Sequence, residues 1–288
     1  MQLGIDFARF TRSAEDTPFG RIAGEAVTMA DQGGFSTVAA MDHFFQIPIV
    51  GKKEEPMLEG YTFLGFAAGR TERVTLQLLV TGVTYRHPGL LAKTVTTLDV
   101  LSQGRAKLGI GAAWNEEEHV GLGVPFPSLS ERFEQLDETL AICRQMWSDD
   151  DGPYEGKHFQ LAETLNSPQN VDGPPPIMIG GMGPRKTLRL AARHAQEVNW
   201  FPVGRDRIVD LKEMLRRHCE AEGTDADAIR LTMIMFPPAP DRLDQWLSDV
   251  EMYGSLGVEE IYVTPASDDP RVDIERLAAD VLPRVQEM

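Results

Sequence analysis

The sequence predicts an α/β protein of the (β/α)8 TIM-barrel class, and three observations predict it. Eight short apolar runs recur along the 288 residues. Each is followed by a longer stretch of helical period, the alternation that signals βα units and a parallel sheet. Several runs also lack inside/outside alternation, as strands covered on both faces do. An open doubly wound sheet is the alternative, but eight units in one chain suit a closed barrel better.

The elements follow in order. A strand at 3–7 leads to a helix at 19–32, which Gly33-Gly34 ends. A second strand at 37–43 precedes a helix at 61–68, and a third at 75–83 precedes one at 89–101. The fourth strand, 106–114, is followed by a helix at 129–147 with Ser128 and Ser130 as capping candidates. The fifth, 176–181, runs into a helix at 184–195 with Pro184 in its first turn. Strands at 197–201, 230–236 and 260–265 alternate with helices at 205–221, 243–256 and 272–288. One connection breaks this rhythm. Residues 148–175 hold no clear helix and read as an inserted loop between strands 4 and 5, with a short hairpin at 154–161 and a stiff re-entry at Pro174-Pro175-Pro176. Long loops in compact domains are commonly lids, so this one is expected over the strand mouths. The whole chain, 1–288, is expected to be one domain.

Composition narrows the partners. Lys+Arg 28 against Asp+Glu 44 gives a formal net charge of −16, and a surface this acidic repels phosphate backbones and anionic lipid. No nucleic acid and no membrane is expected as a partner. Cys143 and Cys219 sit in no metal-ligand spacing, and the N-terminus carries no basic stretch followed by an apolar one. A cytoplasmic chain is the expectation.

In a TIM barrel the active site lies at the C-terminal strand ends. Strand two ends in Asp42-His43; an imidazole there can move protons, which makes His43 the catalytic candidate, while Asp42 suits a cofactor or backbone hydrogen bond. On strand three, Leu78 and Leu79 offer a dry wall for a flat aromatic ring and Thr81 a hydroxyl. Strand four ends in Gly109-Ile110-Gly111-Ala112-Ala113-Trp114, where small residues allow close approach and Trp114 supplies a stacking face. Its short GxG is no dinucleotide fingerprint. Glu116, Glu117, Glu118 and His119 look like a metal cluster, yet three consecutive carboxylates at a helix start point apart and chiefly complement the dipole, so no metal is expected. Strand five ends in Gly180-Gly181-Met182-Gly183 and turns into a helix beside Arg185 and Lys186, a phosphate cradle. Between residues 184 and 217 there are nine Lys/Arg against four Asp/Glu, which concentrates base beside this anion site.

These pieces together resemble the luciferase-like flavin/deazaflavin oxidoreductases over nearly the whole chain. The resemblance is carried by Asp42-His43, Arg86-His87-Pro88, the run 97–105, the run 108–118, Glu131-Arg132-Phe133, and Ile179-Gly180-Gly181 through the run 187–195. It implies a TIM barrel that binds coenzyme F420, the deazaflavin, or alternatively FMN, and it is closest to the F420-dependent branch. It further implies that His43 lies near the redox carbon, that Leu78-Leu79 marks a bulge with a non-prolyl cis peptide behind the ring, that Thr81 contacts ring or tail, and that Gly180 to Gly183 hold the phosphate. Sugar-phosphate dehydrogenase members carry a tryptophan and a glutamate where this chain has Ile47 and Trp114, which argues against a hexose phosphate. The expected activity is hydride transfer between F420 and a small organic substrate, with the protein supplying position. The alternatives are an FMN-dependent monooxygenase needing a partner flavin reductase, and a non-catalytic flavin-binding barrel. A homodimer is compatible with each.

Overall fold

The computed structural model describes residues 1–10 and 18–288. Its main sheet is built from β1 Gln2–Phe7, β2 Thr37–Ala40, β3 Thr75–Leu78, β4 Thr81–Gly82 and β5 Leu108–Gly111, continuing after a small hairpin, β6 Tyr154–Glu155 and β7 Gln160–Leu161, with β8 Ile177–Gly180, β9 Glu197–Trp200, β10 Arg230–Met235 and β11 Val258–Val263. The order is β3-β2-β1-β11-β10-β9-β8-β5-β4, with parallel pairing throughout. A bridge between Leu76 and Ala106 closes the ring, Leu76 N donating to Arg105 O at 2.8 Å and Lys107 N to Leu76 O at 3.0 Å. Counting β3 and β4 as one interrupted stave, the described residues form the eight-stranded barrel that the sequence predicts.

Around it lie α1 Phe19–Gly33, α2 Gly60–Ala68, α3 Pro88–Ser102, α4 Glu116–Leu122, α5 Leu129–Met146, α6 Thr187–His194, α7 Arg205–Glu222 and α8 Leu243–Ser255. The last helix departs from expectation: α9 Pro270–Arg276 passes through a π-turn at Leu277–Val281 into α10 Leu282–Gln286. The short α4 is an addition. Among the described residues no helix is long and apolar enough to cross a membrane.

Strand alternation sorts the side chains into two populations. Leu3, Ile5, Phe7, Val38, Leu76, Leu78, Leu108 and Ile110 face outward into the main core under the helices. The inward set stacks in layers. At the bottom Lys107 Nζ and Arg230 Nη1 pair with Glu197 at 2.6 and 2.8 Å, and Ser36 and Thr37 donate to Glu260. Above it Tyr262 packs with Ala39 and Met178, its ring lying so close to Gly4 that a Cβ there would come within 2.9 Å. The top layer holds Asp6, Leu79, Gly111, Gly180, Asn199, Ile234 and Thr264, which form a cavity floor.

The third stave is broken rather than continuous. It leaves the sheet after Leu78, passes through a cis Leu79–Val80 peptide and re-enters at Thr81. The neighbouring staves have the space for this: a Cβ on Gly109 would lie 2.0 Å from Leu78 O, one on Gly111 3.1 Å from Val80 Cγ2, and one on Gly180 2.9 Å from the same methyl. What the small residues of strand four accommodate, then, is this break.

The insertion does not lie over the strand mouths as expected. His158 and Phe159 N–H groups donate to Glu138 on α5, Asn166 Nδ2 donates to Thr96 Oγ1 at 3.0 Å, and Val171 N donates to Asp99 Oδ2 at 2.9 Å on α3. Polar groups on α3 and α5 thus tie the segment down the flank of the barrel. None of residues 148–175 is among those lining the cavity.

Replacing Gly109 by Ala forces its Cβ into backbone, which cannot rotate away, whereas Gly111→Ala meets a valine methyl at 3.1 Å and Gly180 O at an ordinary 3.7 Å. We expect Gly109→Ala to cost about 1–3 kcal/mol, the scale of overpacking, and Gly111→Ala clearly less. Urea denaturation checks this, and equal losses would contradict the close approach of Leu78 O.

Candidate active site

A cavity of about 760 Å³ opens at the C-terminal ends of the strands, within the size range of small-molecule sites. Its floor is the top interior layer. One wall comes from the loop after β2, through Met41, Ile47, Ile49 and Val50, of which the sequence reading singled out Ile47 alone. Ile49, Trp114, Leu129, Phe201 and Phe236 stand exposed around the mouth, so the rim is apolar. Lys and Arg are absent from the lining among the described residues.

His43 is inside this cavity, and its orientation is set from behind. Its Nδ1 lies 2.9 Å from Glu118 Oε2, a carboxylate that accepts, so Nδ1 carries the proton and Nε2 is left to the site. Its ring meets Trp114 edge-on at 5.4 Å. Glu118 is wholly buried at the start of α4, which Asn115 caps. Burial alone would raise its pKa, but hydrogen bonds from His43, from Tyr85 Oη at 2.5 Å and from the Phe45 and Phe44 N–H groups hold it below the usual glutamate range. Glu118 is thus the orienting partner that dipole reasoning overlooked. The signal available was its place three residues into a capped helix, where one of three adjacent carboxylates must turn inward.

His119 is accounted for locally. Its Nδ1–H donates to Asn115 O at 2.6 Å, Thr84 Oγ1 lies 2.6 Å from Nε2, and the ring stacks on Tyr85 at 4.5 Å. Among the described residues there is no group of three side chains able to hold a metal ion.

The other sequence candidates divide. Leu79, Thr81, Trp114, Gly180 and Gly181 line the cavity. Leu78 does not, because alternation turns it outward against Gly60 on α2; this corrects its reading as part of the ring wall. The cis peptide likewise falls at Leu79–Val80, one residue beyond the expected pair. Asp42 borders the cavity, but Arg86 grips it through Nη1 at 2.6 Å and Nη2 at 2.9 Å, and Gly82 N donates to Oδ2 at 3.0 Å. Its carboxylate therefore braces β2 against β4. The Thr81 hydroxyl is 2.8 Å from Tyr61 Oη and so faces the wall.

The glycine turn keeps its place beside the cavity. Gly181 takes φ +114° and Gly183 lies so near Thr187 that a Cβ would come within 2.6 Å of Oγ1, a tight cradle that opens onto the start of α6. Met182, Gly183, Arg185 and Lys186 lie just outside the lining, and Lys186 Nζ donates to Ser130 Oγ at 3.0 Å. The basic excess is smaller at the mouth than the count suggests. Arg193 pairs with Asp137, Arg216 and Arg217 with Glu213, and Lys212 Nζ donates to Leu256 O. Arg185, Lys186, Arg189, Arg205 and Arg207 remain, just before or within the first turns of α6 and α7, the ends that follow the strand mouths.

Comparison with known proteins agrees with this architecture. A family model described as luciferase-like monooxygenase matches residues 5–268. An uncharacterized protein of Mycobacterium tuberculosis is 30% identical over 271 residues, covering 88% of this chain and 92% of its own. An F420-dependent glucose-6-phosphate dehydrogenase of Microbacterium testaceum is 35% identical over 173 residues, 58% of this chain and 48% of that one. Among solved structures, an F420-dependent secondary alcohol dehydrogenase superposes with a TM-score of 0.82 at 18% identity, covering 99% of this chain and 98% of that one.

Glu118→Gln keeps the shape and removes the charge that four donors share. At neutral pH we expect it to cost about 1–3 kcal/mol of stability, the scale of hydrogen bonds to an ionised group. A carboxyl held low in the folded state contributes fully above its unfolded value and loses that contribution as pH falls through its folded value. The gap between wild type and variant in denaturation experiments should therefore close on acidification. A gap unchanged down to about pH 3 would mean that charge on Glu118 is not what the donors use.

Proposed function

The chain belongs to the luciferase-like monooxygenase family of oxidoreductases, and we propose that within it this protein is an F420-dependent oxidoreductase acting on a small, largely apolar organic substrate. The observation that carries the reading is the pairing of a dry wall, Leu79 with Val80, and an imidazole whose Nδ1–H is held by buried Glu118 so that Nε2 faces the same cavity. When bound, F420 would supply hydride transfer between its ring and a substrate carbon.

The residues present fit such a group. A planar ring needs an apolar back wall, and Leu79 and Val80 provide one. An anionic tail needs free N–H groups and cations, and the Gly180 to Gly183 turn leads to α6 beside Arg185 and Lys186. His43 would hold or accept a proton at Nε2, with Glu118 fixing the tautomer and steadying the charged form. Trp114 and the rim side chains would exclude water. Ile47 lines the cavity and, among the described residues, no Lys or Arg does, which favours an uncharged substrate over a sugar phosphate. The sequence relationship to F420-dependent glucose-6-phosphate dehydrogenase supports the choice of cofactor.

A second reading, an FMN-dependent monooxygenase fed by a separate flavin reductase, is favoured by the family model itself. Fluorescence titration of the purified chain with F420 and with FMN separates the two. We expect F420 to bind more tightly and His43→Ala to leave its affinity within a few fold while turnover falls by about 10²–10⁴, the usual loss for a general acid or base. FMN bound tenfold more tightly, or carried through purification, points to the monooxygenase; binding of neither removes both.

A further inference from the structure

The cavity holds an ionisable side chain that the His43 network leaves unused. Asp6 stands at the upper end of β1, on the inward face two residues beyond Gly4, and is wholly buried while lining the floor. Thr264 Oγ1 donates to its Oδ2 at 3.2 Å. Its Oδ1, equally enclosed, has no hydrogen-bond partner. An unpaired oxygen on a buried carboxylate is costly, so something must meet it or the charge must go.

Among the described residues no Lys or Arg pairs with it. Arg9, three residues further on, donates to Ala266 O at 2.7 Å and pairs with Glu55 and Asp268. The flanking staves β2 and β11 bring Ala39 and Thr264, and the next ones out bring Leu79 and Ile234. The titratable groups facing Asp6 are His43 on the β2 loop, backed by Glu118, and Tyr262 one layer below; Asp42 is taken up by Arg86. Burial pushes the Asp6 carboxyl up to about 7, against the opposing pull of the Thr264 hydroxyl and of His43.

We propose that Asp6 is a substrate-binding residue at the cavity floor, donating as a neutral carboxylic acid from Oδ1 to an uncharged oxygen acceptor, a ketone, aldehyde or alcohol oxygen, and rejecting carboxylates and phosphates there. The assignment rests on the cavity being the substrate site, as in the function proposed above. A ligand carbonyl supplies the partner that Oδ1 lacks. A ligand anion meets no Lys or Arg in the lining among the described residues and, once Asp6 ionises, meets like charge at the floor.

The test uses cyclohexanone as neutral probe and cyclohexanecarboxylate as its charged counterpart, with binding to the purified chain followed by ligand-observed NMR. Wild-type affinity for cyclohexanone should fall at least about fivefold between about pH 5.5 and about pH 8.5, as the donor proton leaves. In Asp6→Asn, whose amide donates at every pH, it should stay within about twofold. Thr264→Val removes the hydroxyl that steadies the ionised form and should move the wild-type midpoint upward. Infrared difference spectra of the chain without ligand should show a carboxylic-acid band at low pH that Asp6→Asn lacks. The proposal is overturned by wild-type pH dependence in Asp6→Asn, by an infrared band the substitution does not change, or by cyclohexanecarboxylate binding as tightly as cyclohexanone at the higher pH. Titrating the same variants with F420 and FMN keeps the two readings apart. Loss of cofactor binding in wild type defeats the oxidoreductase, whereas loss of the Asp6 signature alone defeats only this assignment.

Discussion

The wedge of Val80 among three glycines is the constraint on which the remaining architecture depends. An eight-stranded barrel fills its interior with side chains, and a fully regular third stave would continue that filling to the top. Here the stave steps out of register at Leu79 and Val80, and Gly109, Gly111 and Gly180 yield the volume that the step requires. The break puts Leu79 and Val80 on the cavity side while Leu78 remains in the outer core. It also brings Gly82 N within 3.0 Å of Asp42, whose grip on Arg86 braces the β2 end from which His43 projects. Closure of the barrel, shape of the cavity and placement of the imidazole thus share one steric cause.

What was legible in the sequence follows from this physics. Apolar runs alternating with helical periods reveal the barrel because burial on both faces leaves its mark on every residue of a strand. The end that carries the cavity is legible too, since the fold itself dictates where a strand-end histidine lies. Less visible were features set by a single side chain's direction. Glu118 is chemically the same as Glu116 and Glu117, and the helix phase alone buries it. Leu78 and Leu79 are likewise identical in type, and a strand period of two sends them to opposite sides. The flank-hugging course of residues 154–172 was hidden for another reason: it depends on Glu134, Glu138, Thr96 and Asp99, polar residues of distant helices that look like ordinary solvated faces until the chain folds.

Charge shows the same division between count and position. A net charge of −16 is a property of the whole surface and bears on which macromolecules it repels. Chemistry in the cavity depends instead on where charges are neutralised. Several cations of the 184–217 stretch pair with helix carboxylates or cap a carbonyl on the barrel's outside, and those near the strand mouths sit at helix starts. The lining carries no cation among the described residues and is dominated by apolar side chains. On the function proposed above, anion and substrate affinity are separated in space: a phosphate would be held at the glycine turn and an uncharged group over the floor.

Two carboxylates, one in that floor and one behind His43, show how environment assigns roles. Glu118 is enclosed but receives hydrogen bonds from four donors, and its charge is stabilised. Asp6 is enclosed with one hydroxyl on one oxygen, and its charge is opposed. The difference is in donor supply rather than depth. Glu118 sits where a loop passes its backbone N–H groups across a helix start; Asp6 sits within a sheet whose N–H groups are committed to the ladder. Without a cation such as those that meet Glu197, the barrel interior at Asp6 favours the neutral acid, and the helix start at Glu118 favours the anion. His43 lies between the two, with its Nδ1 committed to the stable anion and its Nε2 open to the cavity. Placing the fixed charge behind the imidazole and the opposed charge beneath it gives the site one direction in which a proton is held and another in which it can be presented.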